Sequence, residues 1–300
     1  MKKVIYFFII LLSITLARRD CLKIPVKNAL GRSERPDLDT FAISPTGHFY
    51  IHYDTTGYDA PSMIDLDENN IPDYIDEVGI IADSSHHVLV NIMGWEEEPF
   101  DGDGGYDIYV ENLGSGQYGW SYPDIGSTSF LQIHNNYLGF ESKFNLTPIQ
   151  IMRITVAHEY FHGIQWGYEE NLGNNAYFYE MTSMWFEDVL IPDGNDYVEY
   201  SWTDDLFENP TLAFNNTGRG YELALFGHYL SSFIDDKGKL NAKNSTIIRE
   251  IWDYYSDSNS NAFNAVRHIL ENKYNQSFSQ IWIDFLSRNL YNGMYSDMNN

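Results

Sequence analysis

The sequence predicts an α+β protein, with a mixed N-terminal subdomain holding a small sheet and a mainly helical C-terminal subdomain. Two observations carry this. Between residues 46 and 147, short runs of β-favouring residues and one helical pattern are separated by turns rich in Gly, Asp and Asn. From Thr147 onward the apolar-periodic stretches have helical spacing. The chain shows no internal repeat and no low-complexity linker. The break near residue 147 therefore separates two subdomains, 46–147 and 148–300, rather than two free domains.

Met1 to Ala17 has the layout of a signal peptide, with Lys2 and Lys3 ahead of the apolar run Val4–Leu16 and small residues at Thr15 and Ala17. That run is short of the roughly 20 residues that span a bilayer, and no later segment is apolar enough to span. Secretion from a bacterial cell is the expectation. Residues 18–45 form a polar arm with Pro25, Pro36 and Pro45. Cys21 is the only cysteine, so an intrachain disulfide is excluded. Arg18-Arg19-Asp20 before it does not match a lipid-anchor signal.

A hydrophobic content of 43% with 16% aromatics is that of a globular chain. The net charge of −25 argues against nucleic acid and anionic membranes as partners and leaves carboxylates free to bind cations. A monomer acting on a peptide or protein substrate is expected.

In order, His48–Tyr53 reads as a strand with His48 and His52 on one face. The acidic stretch Asp65 to Asp76 then places Asp65, Asp67, Asn69, Ile71, Asp73 and Asp76 at the 1, 3, 5, 7, 9 and 12 positions of a calcium loop. Asn70 stands where glycine is usual, and asparagine tolerates the left-handed backbone needed there. The short Asp76 replaces the usual final Glu. Residues 74–93 read helical through Ile75, Val78, Ile81 and Val88. Asp101 to Gly105 is a tight turn, and Tyr106–Val110 and Ser127–His134 are strands. The second of these is assigned as the sheet edge on which an extended peptide pairs.

Thr147-Pro148 starts a helix, with Thr as N-cap and Pro at its first position. It is apolar nearly all round, as suits a buried helix. Further helices are expected over Ala176–Leu190, Gly220–Phe233, Ser245–Tyr255, Asn261–Glu271 and Phe278–Leu290.

The helix begun at Thr147-Pro148 carries His158-Glu159-Tyr160-Phe161-His162, an H-E-x-x-H motif. Histidines at i and i+4 share a helix face and grip one Zn²⁺, while the Glu acts as general base on water. A catalytic zinc wants three protein ligands. No His lies between Gly163 and Ser183, so a carboxylate on the next helix, Glu180 or Glu187, is the natural third.

The motif followed by Glu180-Met181-Thr182-Ser183 resembles the gluzincins, the thermolysin-like group. There the third ligand is a Glu on the following helix, and the resemblance assigns that role to Glu180. The Gly-x-Met-Glu-Asn sequence of the aminopeptidases is missing. A nearer resemblance, over most of residues 46–190, is to a group of little-characterised secreted bacterial metalloprotease-like proteins. It rests on Gly47-His48-Phe49-x-Ile51-His52-Tyr53, Asn69-Asn70-Ile71-Pro72-Asp73-Tyr74, His158 to His162 with Ile164-Gln165, and Glu180-x-x-x-x-Trp185-x-Glu187-Asp188.

The expected function is that of a secreted zinc metalloendopeptidase with a supporting calcium ion, its zinc site in the cleft between the subdomains. His158, His162 and Glu180 hold zinc, and Glu159 moves the water proton to the leaving amine. The oxyanion needs a further donor. Tyr221, His228 and Tyr229 are the choices, and His228, the only His between residues 163 and 267, is preferred. Glu187 or Asp188 orients a ligating imidazole. The competing readings are an exported binding protein using zinc as a staple, and an amidase acting on cell-wall peptides.

Overall fold

The structure, a computed structural model, describes residues 33–102, 104–140, 146–194, 206, 212–216, 220–258 and 260–290. The signal peptide, Cys21 and most of the 18–45 arm lie outside the described residues. Among those described, five strands and seven α-helices form an α+β fold. The strands are β1 (Thr40–Ile43), β2 (Phe49–Tyr53), β3 (Tyr106–Glu111), β4 (Gly119–Pro123) and β5 (Ser129–His134). The helices are α1 (Asp73–His86), α2 (Pro148–Tyr168), α3 (Ala176–Leu190), α4 (Ala224–Tyr229), α5 (Ile247–Asp257), α6 (Ala262–Asn272) and α7 (Phe278–Leu290). Helix α1 runs on as a π-helical turn over His87–Ile92, and α4 is flanked by 3₁₀ and π turns.

The sheet order is β1-β2-β3-β5-β4, with β2, β3 and β5 parallel and both outer strands antiparallel to their neighbours. Helix α1 provides the crossover that the parallel β2–β3 pair requires. Strand β2 alternates as a half-buried strand should, with Phe49, Ile51 and Tyr53 inside. Strand β3 lies in the middle and is buried almost throughout.

Two expectations are corrected here. The stretch Ser127–His134 is not the sheet edge: β5 sits between β3 and β4, and the edge beside the metal-motif helix is β4. The 18–45 arm is also not wholly an arm. Its end forms β1, paired with β2, and Arg35 is bound to Asp101, Asp107 and Asp124. Three carboxylates around one guanidinium tie this segment to the sheet.

Helix α2 begins with a reciprocal capping box: Gln150 N–H donates to Thr147 Oγ1, and Thr147 N–H donates to Gln150 Oε1. Pro148 occupies the first turn. From Thr155 to Trp166 every residue of α2 is buried, because α1, the sheet and α3 cover different sides of it. One continuous cluster of buried apolar side chains runs from Phe49 and Ile108 in the sheet through Ile164 to Trp252 and Phe285. Residues on either side of position 147 thus share a core.

Candidate metal centre

Helices α2 and α3 pack side by side and bring together His158, His162 and Glu180. His158 Nε2 lies 3.1 Å from His162 Nε2 and 3.2 Å from Glu180 Oε2, and His162 Nε2 lies 3.5 Å from Glu180 Oε2. Both histidines are buried, and the Glu180 side chain is 12% exposed. The group therefore has one open side.

The hydrogen bonds around the rings decide where their protons sit. Gln165 Nε2 donates to the backbone carbonyl of Tyr179 and to Thr182 Oγ1. Its Oε1 must then face His162 Nδ1, 2.7 Å away, and accept a proton from it. His158 Nδ1 donates likewise to Glu187 Oε2 at 2.7 Å. With both Nδ1 atoms protonated, both neutral rings turn bare Nε2 lone pairs toward each other and toward a carboxylate oxygen. Three acceptors meeting without a proton between them is an unfavourable arrangement unless a cation fills the centre. Zinc bonds of about 2.1 Å at tetrahedral angles put ligand atoms about 3.4 Å apart, close to the distances found here. The donor set fits zinc.

Glu180 and Glu187 thus take separate places. Glu180 faces the two bare nitrogens, whereas Glu187 lies on the far side of His158 and orients its ring. Asp188, the other residue considered for that task, instead pairs with His228, its Oδ2 3.1 Å from His228 Nε2. The ring stacked on His158 is Tyr221, at 6.3 Å between centroids. The neighbouring backbone lies tight against Glu180: a Cβ on Gly220 would fall 2.5 Å from the Glu180 Cβ. Of the three residues considered as donor, Tyr221 packs on His158, whereas the preferred His228 pairs with Asp188. The Tyr229 hydroxyl is turned away, donating to Asp284.

Glu159 is buried and faces the edge strand. Gly119 of β4 leaves it room: a Cβ there would lie 3.0 Å from Glu159 Cγ and 2.7 Å from Thr155 Cγ2. The charge of Glu159 reaches both His162 and Tyr122 of β4. Burial, with Glu111 and Glu159 nearby, pushes the Tyr122 hydroxyl up to about 12. Glu159 thus stands between the metal group and the sheet edge. Sequence reasoning missed Gln165 and Gly119. Gln165, one turn beyond His162 on the same helix face, was legible as its partner.

In the acidic loop, the carboxylates of Asp65, Asp67 and Asp73 come within 4.8 Å of one another. Asn70 takes the left-handed backbone at φ 69° and Glu68 does so at φ 60°. Asn69 acts as a bridge, its amide nitrogen donating to Asp67 and Asp76 while its Oδ1 accepts from the Ile71 N–H. Ile71 joins the loop's polar network through its N–H. His52, on the same strand face as His48, bonds Asp107 at 2.7 Å.

No protein-family model, no curated protein and no solved structure matches the chain.

Proposed function

We propose that this chain is a secreted zinc metalloendopeptidase of the thermolysin-like type. The observation that carries the reading is the convergence of two bare imidazole nitrogens and a carboxylate oxygen at 3.1–3.5 Å. A general-base candidate, Glu159, follows the first of the ligands in the chain.

Zinc held by His158, His162 and Glu180 would supply a Lewis acid for the scissile carbonyl and lower the pKa of water to about 7. The chain's own groups do the rest. Glu159 receives the water proton on its carboxylate and delivers it to the leaving amine. The Tyr221 hydroxyl donates to the developing oxyanion. Edge strand β4, paired on one side with β5, offers its other side to an extended peptide, with main-chain pairing setting the register. Calcium in the Asp65–Asp76 loop would offset the repulsion among its carboxylates and brace the start of α1.

An exported binding protein with zinc as a staple is the competing reading. A staple has no use for a buried carboxylate directed at the sheet edge. The test is hydrolysis of an unfolded protein by the purified chain. Activity lost to a chelator and restored by zinc supports the reading; zinc bound at the site with no cleavage of any unfolded substrate supports the staple.

A further inference from the structure

A second histidine–carboxylate cluster lies on the opposite side of α2. His48 precedes β2, His86 ends α1, and Glu97 and Glu98 come from the connection after the π turn. His48 Nε2 is 2.5 Å from Glu98 Oε1, and His86 Nε2 is 3.0 Å from Glu97 Oε1. The two imidazole rings are close and tilted at 39° to each other, with centroids 4.0 Å apart. One ligand atom from each of His48, His86 and Glu98 falls within a 4.8 Å group. Glu98 is buried, and its other oxygen accepts from the Tyr160 hydroxyl at 2.5 Å.

The charge balance of this cluster leaves room for a cation. Among the described residues, the carboxylates of Glu97 and Glu98 pair with these two histidines and with no Lys or Arg. Glu98 is buried whereas Glu97 is 58% exposed, and a proton on His48 alone neutralises only one of the two carboxylates. Protonating both rings would place two like charges on rings 4.0 Å apart between centroids. A single divalent ion satisfies both carboxylates and leaves both rings neutral. The cluster borders a cavity of about 280 Å³ lined by His48, Glu97, Glu98, Phe100 and Tyr106, so a hydrated ion can reach it and keep a water.

We propose that His48, His86 and Glu98, with Glu97 at the rim, form a second divalent-cation site of zinc type. Two imidazoles and a carboxylate are donors that suit zinc. The ion displaces the proton held between His48 Nε2 and Glu98 Oε1, which leaves to solvent. Its task is structural. It clamps β2, α1 and the 97–98 segment to α2 through Tyr160, the residue next to Glu159. The site stands independently of the His158–His162–Glu180 group.

The test is equilibrium dialysis of the full chain against Zn²⁺ alone, with metal content measured, and Co²⁺ absorption as a second readout. Wild type is expected to take two zinc ions. His48→Ala/His86→Ala is expected to take one, and His158→Ala/His162→Ala also one, with different Co²⁺ spectra. Equal zinc content and identical spectra for wild type and His48→Ala/His86→Ala overturn the second site. Should that variant fail to fold by circular dichroism, His86→Ala alone, at the helix end, is expected to weaken one of the two zinc affinities at least about tenfold. Two unchanged affinities overturn the proposal. If His158→Ala/His162→Ala instead keeps all the zinc of wild type while His48→Ala/His86→Ala loses one ion, the catalytic reading fails and the second site stands.

Discussion

Gln165 shows how much a single side chain decides. Its amide nitrogen is committed to Tyr179 and Thr182, so its oxygen fixes the His162 proton on Nδ1 and leaves Nε2 bare. Glu187 does the same for His158. That His158 and His162 would come together on one helix face was legible because H-E-x-x-H has a fixed helical geometry. The donor facing the site was not legible, because three residues of one short stretch, Tyr221, His228 and Tyr229, suit that chemistry. Only the packing of Tyr221 on His158 and the pairing of His228 with Asp188 separate them. The consequence is measurable in steady-state kinetics. Tyr221→Phe is expected to lower kcat about 10²-fold with little change in zinc content, as for removal of an oxyanion donor. His228→Gln is expected to leave kcat within a few-fold of wild type. The reverse ranking would return the role to His228.

At the scale of elements, the helices and the inner strands followed their periodicity, whereas β1 and β4 did not show. Strand β1 buries Ala42 and exposes Phe41 and Ile43, so its large apolar residues point the wrong way for recognition. Strand β4 buries Gly119 and Ser121 while Trp120 and Tyr122 are half-buried, and it ends in Pro123. Gly and Pro argue against a strand when read along the chain. Here small residues are what lets α2 approach. Trp166 Nε1 donates to Ser121 Oγ at 3.1 Å, and Gly119 meets Thr155 and Glu159. Gly119→Ala is therefore expected to cost about 1–3 kcal/mol by overpacking, read by urea denaturation. Adding Thr155→Ser removes the Cγ2 in closest contact and is expected to recover part of that loss. A double variant no more stable than Gly119→Ala would show that the crowding lies elsewhere.

For the whole molecule, the division near residue 147 was legible as a change of pattern but not as a boundary of the core. Helix α2 is buried on every side, and a helix of that kind joins layers instead of closing one. The surplus of carboxylates, 43 Asp and Glu against 18 Lys and Arg, is partly gathered into clusters: around Arg35, in the 65–76 loop and beside His48. On this charge distribution rests the proposal that bound cations stabilise the fold. Calcium is expected to raise the Tm of wild type, by about 2.7 kcal/mol of stability at a hundredfold excess over Kd. Asp65→Asn/Asp67→Asn is expected to abolish that shift. An equal shift in the variant would place the calcium elsewhere.

The central claim is that Glu159 moves a proton at a zinc site formed by α2 and α3. Its most direct test is Glu159→Gln, prepared beside wild type with zinc bound and assayed on an unfolded protein substrate. Hydrolysis by wild type and its loss in the variant, at equal zinc content and equal Tm, is the predicted result. Equal hydrolysis by both would contradict the account and assign the cleavage to another group.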